Sequence, residues 1–160
     1  MLVHVSSRSQ VSKITSQVGA THVLSLCDPG KRPWLHPSTP SKNWKLFVFE
    51  DTFDPEYDRS PKREQIEDIL NWAKTLPNDT VLLVHCEGGI SRSTAVALAI
   101  LTQYHGNDNI SKCIDLLIGA RPEALPNSLI LKYADEILSC NGCLIDAGDK
   151  IVNSKVFSKF

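Results

Sequence analysis

Val81-Leu82-Leu83-Val84-His85-Cys86-Glu87-Gly88-Gly89-Ile90-Ser91-Arg92-Ser93-Thr94 joins a strand pattern to a helix pattern through a short loop containing two glycines. A continuous apolar run of strand length fits a strand buried on both faces, as in a parallel sheet covered by helices. Leu2–Val5, His22–Leu26 and Leu46–Phe49 read as further strands. Between them, Ser9–Val18 has helical spacing, and Ser60-Pro61 supplies an N-cap and first-turn proline ahead of Ile66, Ile69, Leu70, Ala73 and Leu76. Beyond residue 90 the strand patterns stop, and Thr94–Gln103, Ile110–Ala120 and Asn127–Leu138 read as helices. The expected fold is α/β: three layers, a mostly parallel central sheet of four to five strands flanked by helices, and a helical C-terminal part.

The chain has 160 residues, so one domain over 1–160 is expected. With 42% apolar and 22% charged residues, wholesale disorder is excluded. The 17 basic and 18 acidic side chains leave a net charge of -1, which argues against a nucleic-acid surface or an anionic-membrane surface. Five cysteines, an odd number in a chain of this size, disfavour a secreted disulfide framework. Met1–Ser6 lacks the features of a signal peptide, and the longest apolar run, Ala95–Leu101, is far short of the ~20 residues of a membrane span. The expectation is a cytoplasmic protein without membrane insertion.

The loop after Cys86 has the composition of an anion cradle. Backbone N–H groups of a tight loop ahead of a helix can converge on one point. Gly88 and Gly89 allow close approach of the backbone, and Arg92 can grip two oxygens with its planar fork. The same positive field favours the thiolate form of Cys86. A thiolate facing a cradle for a tetrahedral anion is a layout for nucleophilic attack on phosphorus. The candidate phosphate-binding residues are therefore Glu87, Gly88, Gly89, Ile90, Ser91 and Arg92. The Cys-x5-Arg spacing is a weak signal alone. It becomes strong with His85 before the cysteine, glycine in the loop, Ser93 after the arginine, and a strand-loop-helix context.

His85-Cys86-Glu-Gly-Gly-Ile-Ser-Arg92-Ser93 resembles the signature loop of the cysteine-dependent protein tyrosine phosphatases, in the form of the small dual-specificity-like branch and its bacterial relatives. Thr21–Leu26 is similar to that branch's early strand, and Arg121-Pro122…Pro126-Asn127 to an element of its helical tail; Gly88 departs from the usual alanine. The resemblance implies that Cys86 attacks phosphorus and that Arg92 and the loop amides hold the equatorial oxygens. It implies that Ser93 assists departure of the sulfur, and that an aspartate on a loop after an earlier strand is the general acid. Glu50–Asp58 carries five acids in nine residues. Asp51, at the strand end, is the first choice for that acid, and Asp54 the alternative. His85 shapes the loop and supports the thiolate, or is simply packed.

The implied substrate is a phosphorylated protein, most of all phosphotyrosine with phosphoserine and phosphothreonine open, or a small phosphoester; no metal or cofactor is called for. Two alternatives stay in view: a phosphate-recognition module with weak or no turnover, and a phosphatase of a non-protein phosphoester such as a phosphoinositide. A phosphoinositide loop usually has a lysine between Cys and Arg, and here there is none. Among the remaining residues, Cys140-x-x-Cys143 sits at an expected helix end, where Asn141-Gly142 reads as a C-cap, so incidental thiols are favoured over a metal or redox pair. Cys113 reads as a buried small hydrophobe. Cys27, at a strand end, is a candidate for a disulfide with Cys86. Arg121 either touches substrate or caps a helix. Trp34 and Trp44 either rim the site or pack. His4, His22, His36 and His105 form no ligand spacing.

Overall fold

The computed structural model describes residues 1–31 and 39–157. Trp34 and His36 lie outside the described residues. The elements run β1 (Leu2–Ser7), α1 (Val11–Val18), β2 (His22–Cys27), β3 (Trp44–Val48), α2 (Arg63–Lys74), β4 (Val81–Cys86), α3 (Arg92–His105), α4 (Ile110–Ala120), α5 (Ser128–Leu138) and α6 (Cys143–Phe157). The four strands form a parallel sheet in the order β1-β4-β2-β3. This is the expected α/β architecture with its helical C-terminal part.

Strand alternation explains the layers. Leu82, Val84 and Cys86 share a face of β4 with Leu24 and Leu26 of β2, and this face carries the large core built with α2, α3, α5 and α6. Leu83 and Val23 point the other way and are covered by Val11 of α1. Central β4 is thus dry on both sides, which is why its sequence does not alternate. Edge strand β3 leaves Leu46 and Val48 partly exposed. Helix α3 is buried from Arg92 to Thr102, so its apolar residues surround it instead of forming one stripe.

Several boundaries differ from expectation for local reasons. Helix α2 starts at Arg63, not at Pro61. Ser60 is instead tied into the preceding turn, its N–H donating to Tyr57 O at 3.0 Å and its hydroxyl to Pro55 O at 3.4 Å. Ser139, at φ 53, ends α5 in the left-handed conformation, so Asn141-Gly142 is the turn into α6 and not the C-cap. Helix α6 itself is missed by the sequence reading, although Leu144, Ala147 and Ile151 are spaced for one buried face. Gly148 breaks that pattern for a packing reason: a Cβ there would overlap the Leu131 side chain of α5. Asp135 anchors the start of α6, with Oδ1 accepting from Gly142 N at 2.8 Å and Oδ2 from Leu144 N at 2.9 Å.

Candidate active site

The loop between β4 and α3 lies at the C-terminal edge of the sheet, beside the segments that follow β1, β2 and β3. Its carbonyls are taken up from outside. Glu87 O accepts Arg8 N at 3.1 Å, Gly88 O accepts Arg121 Nη2 at 3.3 Å, Ile90 O accepts Leu125 N at 2.9 Å, and Ser91 O accepts Asn127 N at 3.3 Å. In a planar trans peptide the next N–H points opposite to the carbonyl. The amides of Gly88, Gly89, Ser91 and Arg92 are therefore turned away from those outer partners. One of them reports where they aim: Gly89 N–H donates to Cys86 Sγ at 3.2 Å. Gly89 has φ +68, and a Cβ there would lie 2.5 Å from the backbone of Ser6 and Ser7, so β1 crowds the loop too closely for any side chain. Gly88 is in open space, so its departure from alanine reflects no packing need.

Cys86 is 2% exposed, with the Ser93 hydroxyl 3.2 Å from its sulfur. Arg92 is 3% exposed, and its Nη1 is engaged by Phe49 O at 2.7 Å and Asp28 Oδ1 at 2.8 Å. Its Nε–H is buried without a partner among the described residues. An orphaned charged donor inside a protein is rare, and here it is what a ligand oxygen would satisfy. Asp28 was not singled out in the sequence. An acid directly after β2, the strand next to β4, was the available signal.

His85 is 1% exposed and stacks a relay behind the loop: Trp44 Nε1–H donates to Ser25 Oγ at 2.9 Å, and Ser25 Oγ lies 2.7 Å from His85 Nε2. Burial pushes the His85 pKa down to about 4, outweighing the main chain of Cys86, which pulls it up. His85 is thus neutral at pH 7 and lends the sulfur no full charge. Trp44 serves this relay and not a rim.

Asp51 meets the loop. Its Oδ1 accepts Ser91 Oγ–H at 2.7 Å and Asn127 Nδ2–H at 2.9 Å. Asp54 is turned into its own segment, where Oδ1 accepts Glu56 N at 3.0 Å. Glu87 points outward to Arg8 at 3.7 Å and Lys31 at 3.4 Å, and a cleft of about 440 Å³ lined by Arg8, Ser9, Ser12 and Glu87 borders the loop. Arg121 braces the loop from outside through Gly88 O and reaches Gln10 Oε1 at 3.3 Å.

The remaining cysteines are free thiols. Cys27 sits on the Val23–Ser25 face of β2, opposite to the face that carries Cys86, so alternation turns the two thiols apart; burial pushes its pKa up. Ligand atoms of Asp135, Cys140 and Cys143 lie within 4.8 Å of one another. Both Asp135 oxygens are already used by backbone N–H groups, and the Cys140 thiol donates to Asn107 Oδ1 at 3.1 Å. Burial and the neighbouring Cys143 and Asp135 push the Cys140 pKa up to about 12.

No protein-family model matches the chain. It is 29% identical over 136 residues to MAP kinase phosphatase with leucine-rich repeats protein 3 of Dictyostelium discoideum, covering 80% of this chain and 14% of that protein. Among solved structures it is similar to human DUSP28, with a TM-score of 0.62 at 20% identity over 87% of this chain and 89% of the other. It is also similar to PTPMT1 in complex with PI(5)P, with a TM-score of 0.57 at 14% identity over 96% and 94%. The resemblance read in the signature loop holds: the chain has the fold of the dual-specificity phosphatases.

Proposed function

We propose that residues 1–160 act as one catalytic domain that hydrolyses phosphate monoesters through a cysteinyl-phosphate intermediate, with protein phosphotyrosine as the leading substrate. The observation that carries this reading is the setting of Cys86 Sγ: the Gly89 N–H donates to it and the Ser93 hydroxyl lies 3.2 Å away, while buried Arg92, at the end of the same loop, holds an Nε–H unpartnered among the described residues.

In the first step the Cys86 thiolate forms an S–P bond as the P–O bond to the leaving group breaks. Arg92 and the amides of residues 87–92 stabilise the three equatorial oxygens, a contribution that does not require the protein to reorganise. Asp51 gives its proton to the leaving oxygen, worth typically ~10²–10⁴ in rate. In the second step Asp51 takes a proton from water, which attacks phosphorus, and Ser93 stabilises the departing sulfur. The sulfur chemistry requires a reducing compartment, consistent with a cytoplasmic setting. Among the described residues no helix is long and apolar enough to cross a membrane.

A second reading, a phosphoinositide headgroup as substrate, is supported by Arg8 and Lys31 flanking Glu87, which offset the acid in the loop, and by the fold shared with PTPMT1. The test is hydrolysis of p-nitrophenyl phosphate in excess chelator, followed by a panel of phosphotyrosine, phosphoserine and phosphoinositide substrates. Vanadate-sensitive turnover that Cys86→Ser abolishes supports the enzyme. Phosphopeptide binding without turnover by the wild type establishes the recognition module instead. Comparing Asp51→Ala with Asp54→Ala assigns the acid, and a large loss confined to Asp54→Ala reverses the choice.

A further inference from the structure

The Asp51 carboxylate is gripped at one oxygen. Ser91 Oγ–H and Asn127 Nδ2–H both donate to Oδ1, at 2.7 and 2.9 Å, while Oδ2 accepts no hydrogen bond among the described residues. Asn127 is fully buried, and each of its polar atoms is committed. Nδ2 also donates to Thr52 O at 3.2 Å, and Oδ1 caps α5 by accepting Ile130 N at 3.1 Å. Its backbone N–H donates to Ser91 O at 3.3 Å, and its carbonyl accepts Leu131 N at 3.1 Å. One side chain therefore joins the acidic loop and the start of α5, while its backbone reaches the phosphate loop.

The residue type follows from the task. Serine or aspartate caps a helix as well as asparagine does, but only an amide accepts at one atom and donates two N–H bonds from the other. The geometry also selects an oxygen. With two donors directed at Oδ1, a proton on the carboxyl group belongs on Oδ2, which is the unengaged side.

We propose that Asn127 and the Ser91 hydroxyl are positioning residues for the general acid, holding Asp51 by Oδ1 so that Oδ2 carries the proton to the leaving oxygen. This rests on the phosphatase reading with Asp51 as the acid. In the first step the Oδ2–H bond breaks as the leaving oxygen gains that proton, and Asp51 is left as a carboxylate still gripped at Oδ1. Because Ser91 belongs to the phosphate loop itself, the acid docks on the loop that holds the phosphate, and the two halves of the machinery are aligned by direct contact.

The experiment compares kcat/KM for two aryl phosphates that differ in their need for the proton. Phenyl phosphate has a poor leaving group and needs the acid, whereas 2,4-dinitrophenyl phosphate leaves without it. Ser91→Ala and Asn127→Ser, which keeps a capping hydroxyl for α5, are each expected to lower kcat/KM for phenyl phosphate about 10-fold. For 2,4-dinitrophenyl phosphate the fall should be several-fold smaller than for phenyl phosphate, since Ser91→Ala keeps the loop amide, and Ser91→Thr should restore the first value by returning the hydroxyl. An equal fall on both substrates would mean a distorted pocket and would overturn the proposal, as would an unchanged phenyl phosphate rate in Ser91→Ala. Ser91 makes no side-chain bond to α5, so that variant decides the matter even if Asn127→Ser fails to fold. A wild type inactive on both substrates would instead overturn the phosphatase reading, before any variant is made.

Discussion

Replacing Asp28 by alanine removes the only carboxylate held against Arg92 among the described residues, and the structure sets the size of the effect. Asp28 Oδ1 is 2.8 Å from Arg92 Nη1, the guanidinium is 3% exposed, and the one other anchor on that nitrogen is Phe49 O at 2.7 Å. A hydrogen bond between charged partners contributes about 1.5–3 kcal/mol net. If that energy is what aims Nε–H at the phosphate, its loss appears at the transition state as roughly a 10- to 150-fold fall in kcat/KM. Because Phe49 O remains, the lower part of that range is expected, and Asp28→Asn, which keeps an acceptor without the charge, should fall less. The assay is steady-state hydrolysis of p-nitrophenyl phosphate at pH 7 with a parallel vanadate inhibition constant, since vanadate also reads the aim of Arg92. In an Arg92→Lys background the Asp28→Ala change should cost little more, because the interaction it removes is already gone. Wild-type kcat/KM and vanadate affinity in Asp28→Ala would refute the reasoning: the ion pair would then be a bystander.

Burial holds His85 at a pKa of about 4 against 6.5 when exposed. Between those values the unfolded chain binds a proton that the folded chain does not, so stability falls as pH drops through 6.5 toward 4 and is level above 6.5. The contribution is about 2 kcal/mol between pH 7.5 and pH 5; urea midpoints at the two pH values should show it in wild type and lose it in His85→Asn, whereas an unchanged difference would contradict the neutral imidazole. Gly89→Ala should displace the loop from β1 and abolish turnover, given a Cβ 2.5 Å from the Ser6 and Ser7 backbone, while Gly88→Ala should retain wild-type kcat, because a Cβ there meets nothing; equal activities in the two variants would contradict the crowding.

What the sequence revealed follows from where the physics is local. The central strand and the loop after it were legible because β4 is buried on both faces and its last residues feed a loop in which Gly89, Cys86 and Arg92 each have a reason of their own. Ile110–Ala120 was read with its true limits because one helix face repeats cleanly there. Helix α6 was not, since Gly148 is dictated by the approach of Leu131, a contact with no trace in local spacing. The same holds at the site. Cys86, Arg92 and Ser93 are neighbours in the chain, and the Ser93 hydroxyl lies 3.2 Å from the Cys86 sulfur. Asp28 and the Ser25–Trp44 relay reach the loop only when β2, β3 and β4 are adjacent, and Asn127 reaches Asp51 only when the start of α5 packs against the acidic segment. Asp51 and Asp54 could not be separated by spacing, because the difference lies in which carboxylate faces Ser91.

The central claim is that phosphorus is transferred to the sulfur of Cys86. Quenching the wild-type protein in acid during turnover of an aryl phosphate, then mapping the adduct by peptide mass spectrometry, tests it directly. The account predicts one phosphoryl group on the peptide containing Cys86, with neither adduct nor turnover in Cys86→Ser. Turnover that persists in Cys86→Ser, or a phosphoryl group found on another residue, would contradict it.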